Sequence, residues 1–183
     1  MKKILFSVAL IVSSTTLIHA QEGKSNAFKV NILSPIVKSG SFFYERAINE
    51  TSSAQLGVGF TAYKADFLKI SGVFFTPEYR FYLSNEVMNG FYIAPFARYQ
   101  NLKIEDTESD PTSPDKATLS TIGGGLTVGR QWLFKDIVTL DIFLGPSYNS
   151  GKMKVTSGDE VEDVPGVFNG FGLRTGVTLG IAF

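Results

Sequence analysis

Seven charged residues stand at the polar positions of segments whose other side chains are apolar or small, and their types could support chemistry. They are Lys29, Glu45, Glu78, Arg80, Arg98, Asp141 and Arg174. Charges withdrawn from water are tolerated when they are paired and hydrogen-bonded. We therefore expect a structural charge network that fills and orders the interior, with Arg80 contacting Glu45, Glu78 or Asp141. The functional alternative is a gated ion path or a switch.

The residue types present exclude several kinds of catalysis. The single histidine, His19, lies in an N-terminal segment that reads as a signal peptide, and there is no cysteine. Ser-His-Asp, Cys-His and histidine-based zinc chemistry are therefore absent from the predicted mature chain. Glu45 and Glu78 could form a catalytic carboxylate pair, but a structural pair is favoured among arginines. We predict that the protein is not an enzyme, with no catalytic residue, no metal and no cofactor.

Acidic residues also cluster in two polar stretches, 103–116 and 150–170. Oxygen-rich clusters can bind calcium or magnesium, but the spacing does not match the calcium loop of an EF-hand. We expect solvated loops, with divalent-cation binding shared with lipopolysaccharide phosphates as the alternative. The acids are Glu105, Asp106, Glu108, Asp110 and Asp115 in the first stretch, and Asp159, Glu160, Glu162 and Asp163 in the second.

The N-terminus is typical of a secretory signal. Lys2 and Lys3 precede an apolar run that is too short to span a bilayer, and small residues lead to a predicted cut near Ala20. We assign residues 1–20 to the signal peptide and residues 21–183 to one domain. The remaining charges nearly balance, which argues against nucleic acid as a partner.

The elements that must position the charged residues are strands, because apolar and polar residues alternate with a period of two. In the final segment Leu173, Val177 and Leu179 share one face, and glycines with Arg174 occupy the other. The chain ends on Phe183, as expected of a closing strand. These patterns predict an all-β fold, an eight-stranded antiparallel up-and-down transmembrane β-barrel. The proposed strands are 27–34, 39–48, 53–63, 70–83, 90–102, 117–130, 138–149 and 171–183.

The connections have two length classes. Those at 49–52, 84–89 and 131–137 are short, whereas 103–116 and 150–170 are long and polar. An even-stranded barrel with both termini in the periplasm should have short periplasmic turns, so this alternation supports the barrel. Three prolines inside proposed strands count against it, because proline removes a ladder donor: Pro77, Pro95 and Pro146.

The apolar face is predicted to meet lipid and the polar face to line the lumen. A soluble exterior needs many charges, yet the polar face of the last strand is mostly glycine, which suits a narrow lumen. Aromatic residues near the strand ends suit membrane-interface girdles. By strand direction, Arg98 and Arg174 fall in the upper half of the lumen without acids at their level. We expect them to pair with loop carboxylates or to bind an anion at the mouth. The other five charges fall in the periplasmic half.

Several runs resemble a known family. The segment 30–35 (VNILSP) opens the fold, 43–46 (FYER) follows, and 76–83 (TPEYRFYL) precedes 90–92 (GFY) and 95–96 (PF). They are similar to a family of small outer-membrane proteins of unknown function common in Bacteroidetes. The resemblance implies an OmpA-like eight-stranded barrel with no assigned activity. It also implies that Glu45, Glu78 and Arg80 point inward and that Pro77 is tolerated.

The sequence thus favours a protein of the Gram-negative outer membrane with a structural or surface-interaction role and a closed lumen. Expected partners are outer-membrane lipid and lipopolysaccharide, with a protein partner possible through loops 103–116 and 150–170. One alternative is a secreted or periplasmic lipocalin-like carrier. The others are a narrow pore and an accessory subunit of an outer-membrane complex.

Overall fold

The computed structural model of the protein describes residues 24–65, 68–106, 115–157 and 169–183. Each strand pairs antiparallel with its neighbours in the chain, and β1 pairs with β8, so the sheet closes into a barrel. The predicted eight-stranded antiparallel barrel is therefore confirmed. The strands are β1 Asn26–Asn31, β2 Ser39–Asn49, β3 Ser52–Ala65, β4 Leu68–Tyr82, β5 Gly90–Asp106, β6 Asp115–Phe134, β7 Val138–Ser157 and β8 Gly170–Ala182.

Little lies between the strands in the described part of the chain. A single 3₁₀ turn, Ser34–Val37, joins β1 to β2. No helix among the described residues is long and apolar enough to cross a membrane. The predicted signal peptide, residues 1–20, lies outside the described residues, as do most of the two predicted long loops.

The strands next to the long loops are longer than predicted. β5 runs to Asp106, β6 begins at Asp115 and β7 continues to Ser157, so the boundaries proposed for loops 103–116 and 150–170 were wrong. At this end the alternation continues with its polarity reversed, because the outward residues are polar while Leu102 and Leu119 are buried inside. A rule that looks for an apolar outward face therefore ends each strand too early.

The two faces of the sheet separate cleanly by side-chain type. Leu173 and Leu179 are outward and exposed, whereas Arg174 and Thr178 between them are buried inside. The same parity holds on β5, where Tyr92, Ala94 and Phe96 are buried. The sheet therefore presents its apolar face to the surroundings and its polar and aromatic face to the lumen, as predicted.

Each of the three strand prolines lies at a gap in one of its two ladders. The β4–β5 ladder is interrupted at Pro77 and again at Pro95, and the β6–β7 ladder is interrupted at Pro146. On its other side each proline keeps its register, for example Pro146 opposite Leu173. The missing donor therefore costs one local interruption, and the strand survives through its second neighbour.

Glycines on the inner face make room for aromatic rings on the neighbouring strand. In five cross-strand pairs an inward ring lies over the glycine directly opposite it, which covers the bare backbone. At Gly129 an added Cβ would lie 2.5 Å from the hydroxyl oxygen of Tyr92. The small residues of the polar face are thus needed for packing. The pairs are Phe43–Gly57, Phe74–Gly59, Tyr92–Gly129, Phe96–Gly125 and Phe143–Gly176.

We expect Gly129→Ala to lower the free energy of unfolding by about 1–3 kcal/mol, because the methyl group must displace the buried Tyr92 ring. Gly172→Ala is the matched control, since its Cβ would meet only the Ser147 hydroxyl at 3.0 Å and the Asn149 amide at 3.3 Å. It should cost less than about 1 kcal/mol. Urea unfolding in detergent micelles, followed by the fluorescence of the single tryptophan, Trp132, measures both. Equal costs would contradict the packing argument.

Candidate functional site: the luminal charge network

Six of the seven predicted residues form one connected cluster inside the barrel. β1 contributes Lys29, β2 contributes Glu45, and β7 contributes Asp141. β4 contributes Glu78 and Arg80, and Arg174 comes from β8. All six are buried, and Lys29, Glu45, Arg80 and Asp141 have exposed fractions of 0%. Strand parity places each of them inward, because residues two apart share a face.

Arg80 is the centre of the cluster. Its Nε donates to Oε1 of Glu78 at 2.6 Å, and its Nη1 donates to Oδ2 of Asp141 at 2.8 Å. Nη1 also lies 3.6 Å from Oε2 of Glu45. The guanidinium carbon stacks over the Tyr92 ring at 4.3 Å from its centroid. Arg80 therefore contacts all three carboxylates named for it, and an aromatic face covers part of the cation.

Lys29 supplies a second cation to the same carboxylates. Its Nζ donates to Oε2 of Glu45 at 2.5 Å and to Oδ2 of Asp141 at 3.4 Å. The Lys29 stem lies over Gly180, the residue opposite it on β8. Charge-assisted hydrogen bonds of this kind are stronger than neutral ones, and they satisfy carboxylates that are buried away from solvent.

Neutral residues that the sequence did not single out complete the network. Oε1 of Gln131 accepts from Lys29 at 3.0 Å and from Arg80 at 2.8 Å. The hydroxyls of Tyr82 and Ser53 donate to Oε1 of Glu45 at 2.6 and 2.5 Å. The hydroxyl of Tyr92 donates to Oδ1 of Asp141 at 2.8 Å. Gln131 was missed because residues 131–137 were assigned to a turn. For Tyr82 and Tyr92, their inward positions in the alternation were the signal that could have placed them in the network.

The expectation that Arg174 has no acid at its level is wrong. Nη1 of Arg174 donates to Oε2 of Glu78, which therefore bridges Arg174 and Arg80. The rings of Phe96 and Phe143 flank the guanidinium at 4.4 and 4.8 Å. Strands in a barrel are tilted, so position along a strand does not give height directly. The long arginine side chain also reaches down the axis.

Arg98 is separate from the acids of the cluster. Its Nε donates to Oγ1 of Thr76 at 3.1 Å, and its guanidinium lies 4.8 Å from the centroid of Phe74. Within the described part of the chain it forms no ion pair, so pairing with loop carboxylates is not seen there. Anion binding by Arg98 stays a prediction.

An apolar plug lies next to the network, at the end of the barrel where β1 begins and β8 ends. The connection 83–89 folds inward and buries Met88 completely, with a left-handed backbone at φ 64°. Val87 of the same connection also packs against the buried rings of Tyr82 and Tyr92. The residues around Met88 are Ala27, Ala182, Ala47, Val87 and Leu133.

The chemistry of the cluster is that of mutual neutralisation. Three cations, Lys29, Arg80 and Arg174, face three acids, and each acid accepts from at least one cation. Among the described residues no group of three or more acids, histidines or cysteines is arranged to hold a metal ion. The six charges are thus arranged as a balanced internal salt.

We expect Asp141→Asn to lower the free energy of unfolding by about 3–5 kcal/mol, because Arg80 and Lys29 would lose a buried counter-charge. Asp136→Asn is the matched control. Asp136 is exposed in the turn before β7, and asparagine suits its left-handed backbone, so the change should stay within about 0.5 kcal/mol. Urea unfolding in micelles compares the two. If Asp141→Asn leaves the free energy of unfolding unchanged, the network does not stabilise the barrel.

Comparison with known proteins gives a family and one similar fold. No curated protein matches the chain. The crystal structure of the N-terminal β-barrel domain of Pseudomonas aeruginosa OprF is 14% identical, covering 89% of this chain and 100% of that chain at a TM-score of 0.47. A family model described as "Protein of unknown function (DUF3575)" matches residues 6–162. The resemblance to a family of unknown function is thereby confirmed, and the chain belongs to the DUF3575 family.

Proposed function

We propose that the protein is an integral β-barrel of the Gram-negative outer membrane, with a closed lumen and a structural or surface-interaction role. The observation that carries the proposal is the distribution of side chains across the sheet. Large apolar residues are exposed on the outer face of every strand, while the charged residues of the cluster are buried inside. Water is a poor solvent for such an exterior, and hydrocarbon is a good one.

The exposed apolar residues of the outer face form a continuous band, called the apolar band, whose height can be compared with that of the lipid-facing band of outer-membrane barrels. On β7 the outward residues from Val138 to Tyr148 include Ile142 and Leu144, exposed at 45% and 49%, and Pro146. Ten residue steps of about 3.3 Å, tilted by about 40°, span about 25 Å along the barrel axis. That is the height of the lipid-facing band of outer-membrane barrels.

Aromatic residues border the band at both ends. At the end where β1 begins and β8 ends, the guanidinium carbon of Arg130 lies 4.7 Å from the ring centroid of Phe91 and 4.9 Å from that of Trp132. At the opposite border the rings of Tyr148 and Phe171 meet edge to face, with centroids 5.2 Å apart. Amphipathic rings are enriched at the two membrane–water interfaces, so these positions support a spanning orientation.

The short connections indicate which end faces the periplasm. Residues 50–51, 83–89 and 135–137 lie at the same end as the start of β1 and the end of β8. Barrels of this class have short periplasmic turns and longer external loops. We therefore place the Met88 plug on the periplasmic side and the long hairpins outside the cell.

The closed lumen is supported by the plug and the cluster together. Tyr82, Tyr92 and Phe143 fill the section between Met88 and Arg174. An eight-stranded barrel is only wide enough for its own side chains to fill it. An ion crossing this section would have to break the contacts of Arg80, so we favour a closed lumen over a narrow pore.

We also propose that the protein is not an enzyme. The buried acids Glu45, Glu78 and Asp141 are each held by cations and by neutral donors, so none is poised as a free base. The predicted mature chain has no histidine or cysteine. Surface-interaction or structural work needs neither.

Of the alternatives, a lipocalin-like carrier needs the reverse distribution, with an apolar lumen and a polar exterior. An accessory subunit of a larger complex is compatible with the barrel. Cross-linking in intact cells followed by purification separates that role from a solitary barrel.

We expect Leu144→Arg, in the middle of the apolar band, to lower the free energy of unfolding in phospholipid vesicles by about 2–4 kcal/mol. Ser150→Arg, on the same face of β7 but above the band, should cost about 0–1 kcal/mol. Chemical denaturation with Trp132 fluorescence measures both. If Leu144→Arg is harmless and the protein is recovered without detergent, the soluble carrier is correct and the membrane proposal fails.

The purified protein should give no discrete conductance steps in a planar bilayer, because Met88 and the charge cluster block the axis. Met88→Gly combined with Leu133→Ala opens the plug and serves as the comparison, since any residual leak should increase in that variant. Discrete steps from the unmodified protein would overturn the closed lumen and favour the narrow pore.

A further inference from the structure

Six lysines stand on the outer face of the barrel beyond the apolar band, at the end with the long hairpins. We call them the lysine belt: Lys64 on β3, Lys69 on β4, Lys103 on β5, Lys116 on β6, and Lys152 and Lys154 on β7. All six are exposed. They occupy five neighbouring strands, so the belt covers one broad side of the barrel.

The register brings the belt into close rows. Lys64 lies directly opposite Lys69, and Lys103 and Lys154 flank Thr118 from its two neighbouring strands. Lys152 and Lys154 are two residues apart and therefore share a face. Like charges placed opposite each other destabilise a sheet unless a counter-charge is nearby.

One acid within the described residues answers this charge from the same face. Glu105 accepts from Nζ of Lys69 at 2.9 Å and lies opposite Lys116 on β6. Lys69 is the single belt member with an ion pair inside the described part of the chain. On the outer face of the described strands, Glu105 is thus the acid that faces the six lysines, and the acids of residues 107–114 and 158–168 lie outside the described residues.

The opposite end of the barrel has a different balance. From residue 24 onward, its exposed charges among the described residues mix both signs, with four cations and three acids: Lys24, Arg46, Arg130 and Lys135, and Glu50, Glu86 and Asp136. Within the described strands, the outer face at the long-hairpin end therefore carries an excess of positive charge, which suits an anionic partner beside the barrel wall.

The height of the belt matches a lipid head-group region. On β5 Lys103 lies four residues beyond Tyr99, the last aromatic of the apolar band. Four steps of a tilted strand rise about 10 Å along the axis. A lysine stem can fold back toward the membrane, which brings its ammonium group within the polar layer of about 5–8 Å.

We propose that the lysine belt binds the phosphate groups of anionic lipids in the outer leaflet, and this rests on the proposed membrane orientation. Ammonium groups on flexible stems attract phosphate as point charges and need no fixed geometry. Each lysine near an anionic surface contributes binding energy that adds along the belt. A lateral, outward position suits a lipid that lies against the barrel wall.

The test uses the full chain in detergent, with native mass spectrometry to count retained lipid A carrying two phosphates. The triple variant Lys103→Gln, Lys152→Gln, Lys154→Gln should bind it about 100-fold more weakly. Glu105→Gln should bind it more tightly, because it frees Lys69. Lys24→Gln with Lys135→Gln, at the other end, is the matched control and should bind like the unmodified protein.

Further arms identify the ligand. Dephosphorylated lipid A should not be retained, and inorganic phosphate at the same concentration should not compete. Unchanged binding by the triple variant, or an equal loss in the control, would overturn the proposal. Competition by inorganic phosphate would also overturn it. So would lipid binding that appears only when the loop acids are neutralised, because the belt would then pair with the chain's own loop; those acids are Asp159, Glu160, Glu162 and Asp163.

The outcome can be separated from failure of the proposed function. Every variant keeps its apolar band, so each should still fold and be recovered in the outer-membrane fraction. Recovery in that fraction with no lipid retention rejects the belt alone. A soluble unmodified protein rejects the membrane assignment itself.

Discussion

A guanidinium group with no access to water sits at the centre of the barrel, and the rest of the structure depends on how its charge is met. Arg80 needs acids from three directions, and β2, β4 and β7 supply Glu45, Glu78 and Asp141. Leaving any charge unpaired in this setting costs several kcal/mol. A one-residue slip in any of these strands would turn its acid outward. The cluster therefore specifies the register of strands that are far apart in the chain.

The aromatic and glycine residues of the inner face follow from the same constraint. A lumen that holds the six charged side chains of the cluster, and Arg98 beside them, has little space left, and rings packed over glycine fill it. Tyr92 shows the connection, because its ring covers Gly129, stacks on Arg80 and hydrogen-bonds Asp141 through its hydroxyl. Packing and charge pairing are thus carried by the same residues. A methyl group added at Gly129 would therefore disturb the ion pair between Arg80 and Asp141, because Tyr92 contacts all three residues.

Alternation in the sequence was sufficient to predict the number of strands, their direction and which residues face inward, because burial on one face imposes a period of two. It was insufficient near the strand ends, where the outward face is no longer apolar. β7 continues to Ser157 with lysines at its outward positions and Met153 and Val155 at its inward ones, and Gln131 was assigned to a turn although its amide joins Lys29 and Arg80. Arg174 was placed too far from Glu78, because strand tilt and side-chain length do not appear in a one-dimensional pattern.

The internal and external charges have opposite characters, and this separates what holds the barrel together from what it presents. Within the cluster three cations balance three acids, so its ion pairs are internal to the barrel. The lysine belt is exposed, and among the described residues Glu105 is the acid on its face. Exposed ion pairs contribute little to stability, so the belt adds little to folding. In the proposal made above, anionic head groups supply its counter-charges, and recognition then lies on the wall of the barrel.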